Sequence, residues 1–178
     1  LRAACFPVNQ GKGRALRHGL SLAEGDLVAF LDAGGDLDFT ELRRFLAAQT
    51  LYDADIVIGS KRHSLSDVSY PRLRRLYSRT YQLLNRVLFR LRIRDTQVGM
   101  KLFRREALQA VLPRLLVKAF AFDLELLVVA NHLGFRRVVE APVRITHRFP
   151  SSVSWRAVAQ TLWDTLAVFY RLRILRWY

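Results

Sequence analysis

Short apolar runs alternate along the chain with segments whose apolar positions recur every three or four residues. Leu27 to Leu31 (LVAFL) is a continuous apolar run of strand length, the kind buried on both faces of a parallel sheet. Ile56 to Ile58, Lys101 to Phe103 and Arg137 to Ile145 predict further strands, and Ala3 to Pro7 a short one near the start. Helical spacing covers Arg14 to Ala23, closed by Gly25-Asp26, then Thr40 to Ala48, Glu106 to Val111, and Phe122 to His132, which Gly134 stops. Pro71 opens a long helix in which Leu73, Leu76, Tyr77, Leu84, Val87, Leu88 and Leu91 share one stripe, while most of its arginines lie elsewhere. A last helix runs from Val153 to about Trp177 and carries Trp155, Trp163, Tyr170 and Trp177 among arginines. This order predicts an α/β fold with a mostly parallel sheet flanked by helices and a C-terminal amphipathic helix. Residues 1–150 form the predicted domain, and 151–178 the helix.

Charge changes the picture. The 178 residues hold 29 lysines and arginines against 15 acids, a formal charge of +14. Such a surface attracts phosphates, anionic lipid or nucleic acid, and arginine's planar fork suits phosphate. The single cysteine, Cys5, excludes an internal disulfide and a cysteine zinc site, and reads as a small buried apolar residue. No run approaches the roughly 20 apolar residues of a spanning helix, so membrane contact is expected to be peripheral. The long helix and the terminal helix both combine an apolar stripe with arginines, the composition of interfacial helices. The chain begins at Leu1 and its one methionine is Met100, so the natural protein is expected to start upstream.

The candidate chemistry gathers around acids and glycines. Asp32 ends the most apolar strand, and ligands of open α/β sheets bind outside such carboxyl ends. With Asp36 on the same glycine-containing loop it either holds a divalent metal or closes a turn. Asn9-Gln-Gly-Lys-Gly13 precedes a helix, so Gly11, its neighbouring amides and Lys12 either meet a phosphate or form an ordinary strand-to-helix turn. Glu125 lies in the apolar run FDLELLVVA, where it lines a sugar site or completes an ion pair. The four histidines read as surface or packing residues.

Five blocks in order, NQGKGRALRHGL (9–20), GDLVAFLDAGGDL (25–37), IVIGSKRH (56–63), DTQVGMKLFRREAL (95–108) and AFDLELL (121–127), resemble the family 2 glycosyltransferases that load a sugar onto a polyprenyl phosphate. GSKRH, DTQ and FDLELL look most like the dolichyl-phosphate β-glucosyltransferase branch. The resemblance implies a GT-A fold and an inverting hexosyltransferase in which a DxD-like motif holds Mg²⁺ or Mn²⁺ against the donor diphosphate. Asp32 matches that motif's first acid, Gly34 stands at its second, and Asp36 is the further polar position. Carried over, Lys61 or Arg62 contacts the donor phosphates. Arg74, Arg75 and Ser78 lie near the acceptor end, or the two arginines solvate a helix face. Asp95, which otherwise caps a turn, shapes the acceptor site with Gln97 and Lys101, and Lys101 meets the lipid phosphate. The implied partners are a nucleotide sugar (UDP-glucose or GDP-mannose), polyprenyl phosphate and the cytoplasmic membrane face, with no nucleic acid. The rival readings are a transferase extending a glycan or glycolipid, and a non-catalytic basic relative binding membrane or nucleic acid. Relatives open with a strand, a helix and a second strand ending in paired acids. No such unit precedes Asn9, so weak donor binding by these 178 residues is expected.

Overall fold

In the computed structural model the strongest apolar runs form a four-stranded sheet: β1 (Leu27–Leu31), β2 (Ile56–Ser60), β3 (Met100–Arg104) and β4 (Val138–Pro142), in the order β1-β3-β2-β4. The structure describes residues 3–32, 34, 37–66, 72–145 and 155–178, excluding the side chains of 72–77. Asp36 and Pro71 therefore lie outside the described residues. β4 pairs parallel with β2, whereas β3 pairs antiparallel with both β1 and β2. The sheet is thus mixed rather than mostly parallel in its pairings. Three strands point one way, and β3 is inserted between two of them in the opposite sense. The unbroken apolar run predicted burial on both faces and a parallel neighbour for β1, but β1 is an edge strand: Val28 and Phe30 are buried, whereas Ala29 and Leu31 on its other face are exposed.

Two apolar layers cover the sheet. On one face Val28, Phe30, Ile56, Ile58 and Phe103 pack with Phe122, Leu124, Leu127 and Val128 of helix α5 (Phe122–His132). Every α5 residue from Phe122 to Ala130 is buried, as expected for a helix that is apolar all round. Gly134, at φ +99°, ends it in the conformation glycine adopts without strain. On the other face Val57, Met100 and Leu102 meet Phe45 of helix α2 (Leu42–Tyr52). Phe45 is fully buried, worth about 2–3 kcal/mol of transfer free energy. A 3-10 turn, Phe39–Glu41, leads into α2, with the Asp38 carboxylate accepting the Thr40 amide at 2.9 Å. This local bond holds the Asp38 carboxyl below its usual pKa.

Helix α3 (Arg72–Phe89) and helix α6 (Trp155–Arg173) are joined by the hydroxyls of Tyr81 and Thr165 at 2.9 Å and by the edge-on rings of Phe89 and Phe169. α6 docks through Thr165 and Val168, both fully buried. Its other side leaves Trp155, Trp163, Leu166, Tyr170 and, just beyond the helix, Trp177 exposed. No helix among the described residues is long and apolar enough to cross a membrane. Helix α1 (Lys12–Ser21) starts two residues earlier than its spacing predicts and ends before Gly25-Asp26, while α4 (Arg105–Val111) falls close to its predicted place. The strand expected over Ala3 to Pro7 is absent: that segment pairs with no strand, and Ala3, Ala4 and Cys5 are exposed. Cys5 is accordingly a surface thiol, not a core residue.

The common direction of β1, β2 and β4 gives the molecule two poles. At the amino ends Asp53 and Asp55 bind Arg137, and Asp53 also binds Arg104, which closes the turn between α2 and β2. At the carboxyl ends lie Asp32 after β1, Lys61 after β2 and the residues that lead into β3.

Candidate active site at the carboxyl edge of the sheet

The glycine loop places Lys12. Gly11 has φ +87°, and a Cβ there would lie 2.6 Å from the carbonyl oxygen of Lys118. Gly13 donates its amide to that same oxygen at 2.8 Å. A Cβ on Gly13 would lie 2.7 Å from the Val117 carbonyl and 2.9 Å from Phe122. Both glycines are therefore required by contact with residues 117–122. Between them Lys12, the first residue of α1, sends its ammonium to Asp32 Oδ2 at 3.0 Å and Asp123 Oδ2 at 3.1 Å. Partial burial opposes its charge, but Asp123 and then Asp32 outweigh that, and its pKa lies above the usual 10.5. The sign follows: this pairing contributes fully below the unfolded value and is lost only as pH rises through the higher folded one.

The array continues inward. Asp123 Oδ1 accepts from Lys101 Nζ at 2.7 Å, and Lys101 also donates to the Val98 carbonyl at 2.7 Å. Lys101 is level with Phe30 on β1 and Ile58 on β2, on a core face of the sheet, and has no exposed surface. The contact with a lipid phosphate expected for Lys101 does not match this setting, since its fully enclosed ammonium is held by Asp123 and Val98. Asp32 is fixed from the other side. Its amide donates to the Gly99 carbonyl at 2.7 Å, and a Cβ on Gly99 would fall 2.1 Å from Asp32 Oδ2.

The remaining predicted residues divide. Asp95 is buried and ties two loops together, accepting the amides of Lys61 at 3.3 Å and Gln97 at 3.2 Å, so the turn-capping reading describes its contacts. This holds the backbone of the GSKRH loop beside the DTQ block. Lys61 and Arg62 are half-buried, the Arg62 guanidinium reaching the Arg94 carbonyl, and Gln97 is exposed. Arg74 and Arg75 lie in the first turn of α3 with side chains outside the described residues, and Ser78 is exposed on that helix. Glu125 is fully buried, and its carboxylate receives Arg171, Tyr178 and two backbone amides. Of its two readings the ion pair is the one formed.

The charges decide what the site needs. Lys12 and Lys101 together balance Asp32 and Asp123, so the array is close to neutral and carries no excess positive charge of its own. Asp32 Oδ1 has no hydrogen-bond partner among the described residues, and the Asp32 side chain is 35% exposed. One free carboxylate oxygen, completed by phosphate oxygens and water, is a donor set that suits Mg²⁺ or Mn²⁺. No three acids, histidines or cysteines among the described residues gather to cage a metal on their own.

Sequence reading passed over Asp123, Gly99 and the Lys118 carbonyl. Asp123 carried a signal: it opens the same apolar helix as Glu125, at a helix start where a carboxylate is favoured. Gly99, directly before a strand, marks a close approach. The Lys118 carbonyl carries no sequence signal.

Comparison with known proteins bears on this geometry. The profile described as Glycosyl transferase family 2 matches residues 5–112. The chain belongs to this family. Within family 2 it is 34% identical over 143 residues to a dolichyl-phosphate beta-glucosyltransferase of Trichomonas vaginalis, covering 77% of this chain and 42% of that protein. It is 32% identical over 190 residues to the human dolichyl-phosphate beta-glucosyltransferase, covering 98% and 56%. The chain thus spans about half the length, or less, of these curated relatives. A crystal structure of glucosyl-3-phosphoglycerate synthase from Mycobacterium tuberculosis with Mn²⁺, UDP-glucose and phosphoglyceric acid superimposes with a TM-score of 0.67 at 20% identity, covering 92% of this chain and 57% of that one. A second, with Mg²⁺ and UDP, gives 0.63. These solved structures establish the GT-A-like fold of this family 2 chain.

Proposed function

We propose that this chain carries the catalytic edge of an enzyme that transfers a hexose from a nucleoside diphosphate sugar to a polyprenyl phosphate, with inversion, at the cytoplasmic face of a membrane. The observation that carries the reading is the Asp32–Lys12–Asp123–Lys101 array at the carboxyl edge of the sheet. It holds Asp32 rigidly, with one carboxylate oxygen free of protein partners among the described residues. In this reading Asp32, with Asp36 as the second candidate, holds Mg²⁺ or Mn²⁺, which neutralises the departing diphosphate when bound. Lys61 and Arg62 follow β2 on the same edge and supply further positive charge there.

The acceptor chemistry agrees with a charge-based site. A phosphate monoester has its second pKa near about 6, so at neutral pH the acceptor oxygen is already anionic and needs no base. That oxygen attacks the anomeric carbon, the bond to the diphosphate breaks, and the nucleoside diphosphate leaves with the electron pair. The protein's task is positioning and the screening of two anions. Likeness to dolichyl-phosphate beta-glucosyltransferases supports glucose ahead of mannose, hence UDP-glucose ahead of GDP-mannose.

The test is a transfer assay with the full-length protein, radiolabelled nucleotide sugar and either polyprenyl phosphate or the corresponding polyprenol. Labelled glycolipid formed from the phosphate alone is the expected outcome. Label passing to the polyprenol or to a soluble glycan instead would assign the site to a hydroxyl acceptor.

A further inference from the structure

Glu125 is the most heavily bonded buried carboxylate of the described residues, and its partners come from three separate parts of the chain. Oε2 accepts the amides of Leu116 at 2.9 Å and Val117 at 2.8 Å. Oε1 accepts from Arg171 Nη2 at 3.0 Å and from the Tyr178 hydroxyl at 2.5 Å. Arg171 Nε donates to that same hydroxyl at 2.9 Å, so the three side chains close a ring of contacts. A carboxylate has about four lone-pair sites, and here four donors fill them.

The C-terminal residues are shaped to deliver Tyr178. Past α6, Ile174 and Leu175 both donate to the Tyr170 carbonyl, Arg176 takes a left-handed φ of +50°, and Trp177 donates back to the Arg171 carbonyl. The chain doubles back, and the Tyr178 ring comes to lie against the Arg171 guanidinium.

What Glu125 anchors matters more than the anchor. Leu116 and Val117 lead directly into Lys118, whose carbonyl receives the Gly13 amide and abuts Gly11. The wall that Glu125 fixes is therefore the wall that sets the backbone on both sides of Lys12. Two residues earlier on α5, Asp123 holds the Lys12 ammonium. The first turn of one helix thus controls the lysine twice, through its ammonium and through the loop beneath its backbone.

We infer that Arg171 and Tyr178 are positioning residues for the active site: through Glu125 and residues 116–118 they hold the glycine loop, and so Lys12, in register with Asp32. The inference rests on the proposed transferase reading, because only there does the placement of Lys12 govern donor binding. It gives the end of α6 and the segment after it a role in the site through Glu125 on α5.

The experiment compares Tyr178→Phe and Arg171→Gln in the full-length protein with Tyr52→Phe, an exposed tyrosine at the end of α2. Amide hydrogen exchange is followed in a peptide spanning residues 9–16, and calorimetry gives the affinity for UDP with Mn²⁺. Tyr178→Phe and Arg171→Gln are expected to speed exchange in that peptide about tenfold and weaken UDP about tenfold, with β2 and α2 unchanged. Tyr52→Phe should match wild type, and Arg171→Lys should restore part of the protection. Unchanged exchange in the 9–16 peptide would overturn the inference. So would acceleration spread evenly over the sheet, which is the signature of a purely structural anchor. If wild type binds neither UDP nor GDP while the exchange effect appears, the link from Tyr178 to the glycine loop stands and the transferase reading falls.

Discussion

Gly99 and Lys101, two positions apart at the start of β3, support the same acid array in different ways. Gly99 leaves room for Asp32: a Cβ would fall 2.1 Å from the carboxylate oxygen, well inside any real contact. Gly99→Ala must push Asp32 aside, and a displacement of about 1 Å at such a position costs on the order of a hundredfold in rate. That loss is expected in kcat together with a lowered unfolding temperature, since the new Cβ would also lie 2.6 Å from Asp32 Cβ, and steady-state kinetics beside a thermal melt checks it. Lys101 is a matter of stability. Its ammonium is enclosed and bonded to Asp123 and Val98. Lys101→Ala removes one partner of a buried pair, for which about 3–5 kcal/mol is usual, moderated here because Asp123 keeps Lys12. Lys101→Met fills the volume and should cost less than Lys101→Ala. Denaturant unfolding of both variants decides this, and an alanine variant as stable as wild type would contradict the burial.

At the scale of elements, α1 offers an internal comparison. Gly13 and Gly19 both lie in this helix, but Gly13 is packed against Val117 and Phe122, while a Cβ on Gly19 meets nothing within 4 Å. Gly13→Ala is expected to destabilise by about 1–3 kcal/mol through overpacking, and Gly19→Ala to stabilise by about 0.5–1 kcal/mol through helix propensity. Equal effects in chemical denaturation would contradict the packing of the loop. Elsewhere, apolar runs marked α5 at its observed ends and β1 at its five residues, because burial of an element demands apolar sequence whatever its partners. They gave no sign that β3 enters between β1 and β2, since strand order is settled by contacts distant in sequence. The run over Ala3 to Pro7 has strand composition, but a strand requires a neighbour to pair with, and none accompanies it among the described residues. At the site, Asp32 and Lys12 were legible from a strand end and a glycine loop. Asp123 was hidden beside Glu125, because two acids at that spacing point to different surroundings and nothing local says which faces the ligand.

The whole molecule adds charge and surface to this account. The chain's formal charge is +14, and on α6 the side away from the core exposes Trp155, Trp163, Leu166 and Tyr170. Tryptophan and tyrosine beside arginine suit the boundary between headgroups and acyl chains, so this face is expected to rest on the bilayer that holds a polyprenyl acceptor. Co-sedimentation with vesicles containing anionic lipid should fall as salt rises, and Trp163→Glu should weaken it by about tenfold. Binding indifferent to both would separate this face from the membrane. The opposite pole, knotted by Asp53, Asp55, Arg104 and Arg137, fixes the sheet while the carboxyl edge gathers the acids and lysines. The central claim is that this edge performs hexose transfer through Asp32. Its most direct test is the rate of Mn²⁺-dependent glycolipid formation by the full-length protein and by Asp32→Asn, which keeps the shape of the side chain and removes its charge. The account predicts a fall of at least about a hundredfold with the fold intact; wild-type rates in Asp32→Asn would contradict it.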